Sequence, residues 1–191
     1  MKLKDIATMA PGLVTTRKKA SNKYKVEETY PLLTLNAIDS NGTIDRAQLT
    51  KFESTEKLNI QYFTQEEDIL VRLNDPFTVI HIDKINEGIL IPSYFAKLKV
   101  THKAFKPAYI AWYLNSQKVK RDFLRSQSGT LVPSINQKVI STIDIPIKST
   151  KEQEDIVNLY ALYIKEMDLI ERLKEERSKQ FNHITEKLIK K

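Results

Sequence analysis

Residues 149–191 read STKEQEDIVNLYALYIKEMDLIERLKEERSKQFNHITEKLIKK, and this stretch decides how the rest of the chain is interpreted. Ser149 and Glu152 have the spacing of a capping box, and Pro146 precedes them, so a helix is predicted to begin here. Steps of four and three residues then select a row in which eight of ten positions are apolar or aromatic. These eight are Ile156, Tyr160, Tyr163, Met167, Ile170, Phe181, Ile184 and Leu188. The pattern predicts one long amphipathic helix.

A helix over this stretch would be roughly 60 Å long at ~1.5 Å per residue, far longer than its own domain could cover. We therefore expect its apolar row to form a coiled coil with another polypeptide. Lys174 and Arg177 interrupt the row, and they could pair with acidic residues of an opposing helix and set its register. The alternative is two shorter helices that fold back on the domain.

The charge of the chain is divided unequally between the helix and the residues before it. Residues 1–148 hold 22 Lys and Arg against 15 Asp and Glu, whereas residues 149–191 hold nine of each. A positive domain attracts a polyanion and gains free energy from the release of condensed counterions, as nucleic-acid binders do. The alternative is a cationic surface that serves solubility alone. We accordingly divide the chain into a basic globular domain, residues 1–148, and a partner-docking helix, residues 149–191.

The composition excludes several other classes of protein. Hydrophobic residues make up 41% of the 191 residues and charged residues 29%, as in soluble folded proteins. No run approaches the ~18 apolar residues that span a bilayer, and the N-terminus lacks the apolar core of a signal peptide. We expect a cytoplasmic protein with no membrane partner. Because the chain has no cysteine and its three histidines are far apart, we expect no metal site.

The first 148 residues show strand and helix patterns in mixed order. Residues 1–25 are interpreted as loop, residues 39–42 as a hairpin turn, and residues 107–125 as one helix that opens at a proline. Strands are predicted at residues 30–35, 68–73, 78–82, 88–92 and 140–147. The predicted class is mixed α+β, with one sheet-containing globular domain followed by the long C-terminal helix.

Motifs that carry catalysis are missing from the sequence. Asn74-Asp75-Pro76-Phe77 superficially resembles the loop with which adenine methyltransferases hold the target amino group. However, Asp stands where that loop has Pro, and no glycine-rich turn is present to bind S-adenosylmethionine, so we interpret it as a plain turn. The sequence also lacks the Asp-x-Lys or Glu-x-Lys pair of common metal-dependent nucleases and any cysteine nucleophile. We expect no catalysis by this chain alone.

Three stretches supply side chains suited to DNA. Base edges are read by Arg, Lys, Asn and Gln, and small hydroxyl residues around a glycine allow close approach to the phosphates. The stretches are a basic loop, one side of the predicted helix, and the loop after it. For the helix residues, a solvated surface is the alternative. The predicted DNA-binding residues are Arg17, Lys18, Lys19, Lys23, Lys25, Arg121, Arg125, Ser128, Gly129, Thr130, Ser134, Asn136 and Lys138.

Six segments, taken in order, resemble a target-recognition domain of the specificity subunit of type I restriction-modification systems. Each segment is short, but their common order extends over essentially the whole chain. They are LKDIA at 3–7, EDILVR at 67–72, GILIPSYF at 88–95, PAYIAWYLNS at 107–116, SGTLVPSI at 128–135, and IDIPI at 143–147, the last followed by Glu152-Gln153.

The resemblance implies a non-catalytic DNA-recognition subunit. Specificity subunits of this family normally carry two recognition domains and two helices, whereas this chain has one of each, so it resembles a half-sized form. Two copies with antiparallel helices would restore the family architecture and recognise two inverted half-sites. The implied complex methylates adenine at N6 with S-adenosylmethionine on a separate modification subunit, and a restriction subunit can join it for cleavage. No cofactor is expected on this chain.

Two other functions remain open from the sequence. The first is a specificity-like adapter in another phage-defence or regulatory complex, in which the helix docks on a different effector. The second is a small DNA-modifying enzyme with an unfamiliar site.

Overall fold

The computed structural model describes residues 1–20, 25–126 and 133–189, which form two compact units, Met1–Gln153 and Glu154–Lys191. The described chain is mixed α+β with a long C-terminal helix, so the predicted class is confirmed. The strands are β1 Ala7–Pro11, β2 Glu28–Leu32, β3 Thr50–Ser54, β4 Ile69–Arg72, β5 Val79–His81 and β6 Phe95–Val100. The helices are α1 Pro107–Leu114, α2 Gln117–Arg125, α3 Gln137–Ser141 and α4 Thr150–Ile189. In the part of the chain that the structure describes, no helix is long and apolar enough to cross a membrane.

The core of the first unit is built on an antiparallel four-stranded sheet with strand order β1-β6-β4-β5. The central strand β4 pairs Leu70 with Ile80 of β5 and with Lys97 of β6. Three successive residues of β4 are fully buried because both of its faces are covered. The strands predicted at 68–73 and 78–82 are confirmed, each shorter by one residue at both ends.

Strands β2 and β3 form a separate antiparallel ribbon in which Tyr30 lies opposite Phe52. Phe52 is buried with Leu13, Leu58 and Leu90 in a small apolar cluster, against which Tyr30 also packs. The predicted strand at 30–35 is therefore real, but it begins at Glu28 and ends at Leu32.

Two predictions for the N-terminal half are wrong. Residues 1–25 are not simply loop, because β1 pairs with β6 along five residues, from Ala7 opposite Val100 to Pro11 opposite Ala96. Residues 88–92 form no strand. The apolar pattern instead reflects burial of Ile89, Leu90 and Ile91 in the core, where Leu90 makes single bridges to Leu32 and to Phe63.

The predicted turn at residues 39–42 is present, but it closes only a single bridge, between Ile38 and Ile44. The Gly42 N–H donates to the Asp39 carbonyl at 3.2 Å. Gly42 has a φ of +83°, in the left-handed region that glycine adopts without strain. A tight turn thus forms without the two flanking strands of a regular hairpin.

The predicted helix at 107–125 is in fact two helices, α1 and α2, separated at Asn115 and Ser116. The Ser116 hydroxyl accepts from Val119 N–H and caps α2. The Asn115 amide donates to the Val79 carbonyl at 2.7 Å and accepts from its N–H at 3.0 Å. The Asn115 side chain thus makes the hydrogen bonds that a neighbouring strand would make at the outer edge of β5. The break between α1 and α2 therefore helps to close the sheet.

The strand predicted at 140–147 is also wrong, because residues 137–141 form the short helix α3 instead. The following apolar alternation has a different cause. Leu3 N–H donates to the Ile143 carbonyl at 2.9 Å, and Ile145 N–H donates to the Met1 carbonyl at 2.8 Å. Ile145 is buried because it packs beside the N-terminal segment, not because it belongs to a strand of the sheet.

The capping box of α4 forms as predicted. Ser149 Oγ accepts from Glu152 N–H at 3.3 Å, and Glu152 Oε2 accepts from Ser149 N–H at 2.9 Å. Hydrogen bonds from the Ser149 N–H and hydroxyl, then from Lys148, lower the pKa of the Glu152 carboxyl to about 2. The helix continues without interruption for 40 residues, so the alternative of two shorter helices is wrong.

The first turn of α4 belongs to the first unit and is held there by Gln153, which is fully buried. Its side-chain oxygen accepts from Lys106 N–H at 2.8 Å, just before α1 begins. Its side-chain nitrogen donates to the carbonyls of Ala104 at 2.7 Å and Lys148 at 2.9 Å. The buried amide is thus satisfied at both of its polar atoms, as burial of a polar group requires.

Candidate nucleic-acid interface

The first predicted basic stretch lies against the end of the β2–β3 ribbon. Ala20 N–H donates to the Glu53 carbonyl at 2.8 Å, and Thr55 N–H donates to the Lys18 carbonyl at 3.1 Å. The end of β3 therefore holds residues 18–20 in place. We call the predicted DNA-binding residues at this end of the ribbon, together with the acidic residues around them, the ribbon surface. It comprises Arg17, Lys18, Lys19, Lys25, Glu27, Glu28, Glu53 and Glu56. Lys23, also predicted to bind DNA, lies outside the described residues.

The positive charge of the ribbon surface is partly offset by its own carboxylates. Lys18 Nζ lies 2.7 Å from Glu56 Oε1, with 38% and 51% of the two side chains exposed. Arg17, Lys19 and Lys25 are exposed, as are Glu27 and Glu53 beside them. The four predicted cations are thus matched in number by four carboxylates, while exposed Lys51 on β3 and Lys57 beside Glu56 keep the net charge of the ribbon positive. An exposed ion pair adds little stability, but it reduces the charge that the surface offers to a polyanion.

The second candidate surface is one side of α2. Val119 and Phe123 are buried, whereas Lys118, Arg121 and Arg125 are exposed. Asp122 is the acidic residue of this helix, and its carboxylate lies 3.9 Å from Arg125, with 43% of the Asp122 side chain and 79% of the Arg125 side chain exposed. The exposed side of α2 therefore keeps a clear excess of positive charge.

The turn at residues 74–77 packs between α2 and the third predicted stretch. The Phe77 and Phe123 rings pack edge to face with their centroids 5.6 Å apart. On the other side of the turn, Ile135 N–H donates to the Leu73 carbonyl at 2.7 Å, and Asp75 N–H donates to the Pro133 carbonyl at 3.1 Å. We name the polar and basic residues of α2 and of the third stretch, taken together, the α2 surface. It comprises Lys118, Lys120, Arg121, Arg125, Ser134, Asn136 and Lys138.

The structure also shows which polar groups of the third predicted stretch are free to bind another molecule. Ser134 and Lys138 are exposed. Asn136 Oδ1 accepts from Val139 N–H at 3.1 Å and caps α3, so only its amide N–H groups remain available to donate to another molecule. Ser128, Gly129 and Thr130, the part of this stretch predicted to approach a phosphate, lie outside the described residues.

Sequence reasoning missed two polar residues beside Ser134. Asn74 lies directly opposite Ser134 in an antiparallel bridge, and Arg72 ends β4 two residues earlier. A cation at the end of the otherwise apolar run Ile69-Leu70-Val71 was the available signal. The sequence pattern predicts Asn74 only as part of a turn. That turn is present, since Phe77 N–H donates to the Asn74 carbonyl at 3.0 Å.

Neither surface is arranged as a metal site. Among residues 1–20, 25–126 and 133–189, no group of three or more His, Asp or Glu side chains could hold a metal ion. What the surfaces offer is hydrogen-bond donors and positive charge on a fixed scaffold.

Comparison with known proteins adds information at the level of the fold. No family model matches the sequence, and no curated protein matches it significantly. Solved structures do match. The HsdS subunit from Thermoanaerobacter tengcongensis is 14% identical over 94% of this chain, with a TM-score of 0.68. The S subunit of a type I restriction-modification system from M. genitalium is 16% identical over 88% of the chain, with a TM-score of 0.53.

A third match is a chain from a structure of complex assembly and conformational transition in the type I R-M system. It is 13% identical over 96% of this chain, with a TM-score of 0.65. The chain spans 45% of the length of the HsdS subunit, 39% of the M. genitalium S subunit and 42% of the third chain. The resemblance inferred from six short segments is confirmed in three dimensions: the chain has the fold of a part of type I restriction-modification specificity subunits.

Proposed function

We propose that the chain is the sequence-specific DNA-recognition subunit of a type I restriction-modification complex. It would direct adenine-N6 methylation, and cleavage where a restriction subunit is present, to a bipartite site. The observation that carries the proposal is the fold match over 94% of the chain to an HsdS subunit. The concentration of the net positive charge in residues 1–148 supports it independently.

In this proposal the chain recognises DNA and its partners supply the chemistry. The α2 surface would grip the phosphates, since its cations are exposed and mostly unopposed by carboxylates. S-adenosylmethionine would be bound by the separate modification subunit, and this chain would carry neither cofactor nor catalytic residues.

We assign α4 to assembly. Tyr163 and Ile170 are each 50% exposed and Phe181 is 67% exposed, although all three belong to the predicted apolar row. Large apolar side chains in such a continuous row favour burial against another helix. A second copy of the chain, packed antiparallel along this row, would add a second recognition domain in inverted orientation.

The first half of α4 is apolar over a wider arc than one opposing helix covers. A second apolar row runs beside the first, and its members are 56% to 69% exposed. They are Leu159, Leu162, Leu169 and Leu173. From Phe181 onward only the first row continues. We therefore expect the first half of α4 to contact the modification subunit in addition to the second copy.

The proposal is tested by long-read mapping of methylated adenines in cells that express the modification subunit with and without this chain. We expect one bipartite motif, composed of two inverted half-sites, to be methylated only when the chain is present. An unchanged methylation pattern would refute the function, and a motif with a single half-site would refute the homodimer.

Assembly has its own test. Replacing Tyr163 and Ile170 together by Asp should dissociate the complex in sedimentation velocity while the first unit remains folded. Asn158→Asp with Ser178→Asp, which places the same charges on other exposed positions of α4, is the matched control and should assemble normally. A wild-type chain that stays monomeric even with the modification subunit would contradict the role assigned to α4.

A further inference from the structure

Arg72 is an arginine whose partner is missing among the described residues. Its backbone is fixed on both sides, because its N–H donates to the Thr78 carbonyl at 2.9 Å and it lies opposite Phe95 in the sheet. Its Nε is buried and makes no hydrogen bond. No carboxylate of the described residues forms an ion pair with it. Buried arginine nitrogens are normally paired, whereas this one has no partner among the described residues, and Arg72 as a whole is only half-buried, so its side chain still reaches the surface.

The side chain of Tyr94 lies near the guanidinium group but does not satisfy it. The Tyr94 hydroxyl donates to the Leu33 carbonyl at 2.9 Å. Burial raises the pKa of this hydroxyl, and the positive charge of Arg72 acts in the opposite direction. Arg72 is thus placed beside a rigid aromatic ring whose own proton is already used.

Two more polar side chains that lack a partner among the described residues lie close by. The backbone bonds from Ile135 to Leu73 and from Asp75 to Pro133 flank the Asn74–Ser134 bridge. Asn74 and Ser134 are therefore a non-hydrogen-bonded antiparallel pair, the kind in which facing side chains are closest, at about 4.5 Å between Cα atoms. In the described chain, neither side chain has a hydrogen-bond partner.

We propose that Arg72, Asn74 and Ser134, the strand-end cluster, read base edges in the DNA major groove, with Arg72 recognising a guanine. The inference rests on the proposed function and deepens it. Arginine donates two parallel hydrogen bonds to guanine O6 and N7, and this contact needs a guanidinium held in a fixed position. The strand end supplies that position, whereas the exposed arginines of α2 are suited to the more tolerant phosphates.

The experiment selects bound sequences from a random duplex library, using the full chain together with the modification subunit. Arg72→Lys keeps the positive charge and most of the stem, but it cannot make the paired contact with guanine. We expect preference for guanine at one position of each half-site to fall about ten-fold or more in this variant. Affinity for non-specific DNA should change little. Arg72→Gln should reduce the preference for guanine at the same position.

Arg121→Gln is the matched control, because it removes an arginine from the α2 surface. This variant should weaken binding to all DNA sequences alike and leave the selected motif unchanged. Far-UV circular dichroism of each variant confirms folding. If Arg72→Lys selects the wild-type motif, or loses affinity equally for all sequences, the strand-end cluster does not read bases. If the wild-type chain selects no motif at all, the proposed function fails instead, so the two failures are distinguishable.

Discussion

The ribbon surface and the α2 surface are both rich in Lys and Arg, yet they differ in what surrounds those cations. On the ribbon, Lys18 is paired with Glu56 at 2.7 Å, and further carboxylates lie on the same two strands. On α2, Asp122 is the single acid of the helix, and its distance from Arg125 is 3.9 Å. The predicted cations of the first surface are matched in number by carboxylates, and those of the second are not.

The difference shows that a count of basic residues along a sequence does not measure the field that a surface presents. A polyanion responds to net charge over about one Debye length, ~8 Å at physiological ionic strength, so nearby carboxylates cancel lysines. We therefore expect the α2 surface to carry most of the non-specific DNA affinity. The following predictions test this comparison, beginning with the largest expected effect.

The α2 surface depends on the contact between Phe123 and Phe77. Phe123→Ala should destabilise the first unit by about 3–5 kcal/mol, because it leaves a cavity where a fully buried ring packed. Urea unfolding measures this change. Phe123→Leu, which keeps most of the apolar volume, should cost clearly less. Equal stability of wild type and Phe123→Ala would mean that α2 is not held on the domain by this contact.

Charge reversal on α2 should have the largest effect on DNA affinity. Arg121→Glu with Arg125→Glu should weaken non-specific binding at least about ten-fold and lower the salt slope by about 2. Fluorescence anisotropy at several salt concentrations gives both quantities. Lys84→Glu with Lys103→Glu makes the same change in net charge at exposed positions elsewhere and should have a much smaller effect. Equal losses in both double variants would show that only total charge matters.

Neutralising the ribbon surface should matter less. Lys18→Ala with Lys19→Ala should weaken binding to all sequences by roughly three-fold and flatten the salt slope by about 1 or less. The reason is that Lys18 is already paired with Glu56. The same anisotropy titrations provide the measurement. A loss as large as that of the α2 double variant would reverse the ranking of the two surfaces.

The smallest expected effect tests the Lys18–Glu56 ion pair directly. Glu56→Gln removes a negative charge and releases Lys18, so DNA affinity should rise about two- to three-fold at low salt. Glu53→Gln removes the same charge from the same ribbon without releasing a lysine, and it should raise affinity less. Identical gains would show that the Lys18–Glu56 pair has no influence on the charge available to DNA.

The sequence was a good guide wherever the structure depends on neighbours within a few residues. The capping box at Ser149 and Glu152 and the apolar row of α4 follow from local spacing, and both are present. The turns at Asn74 and Asp39 follow from residue types that favour them. The six segments in order were also sufficient to identify the fold. By contrast, the strand predicted at 140–147 was wrong, because an alternating apolar pattern reports burial but not strand pairing.

Local spacing and charge counting therefore predict a long helix with an apolar row and a positively charged domain before it. The three-dimensional fold decides which of the basic groups remain available. Lys18 meets Glu56 across 38 residues of sequence, Asn115 caps the edge of β5 across 36, and Arg72 ends up without an acceptor among the described residues. Such pairings depend on which strands lie side by side, and strand order results from packing of the whole core.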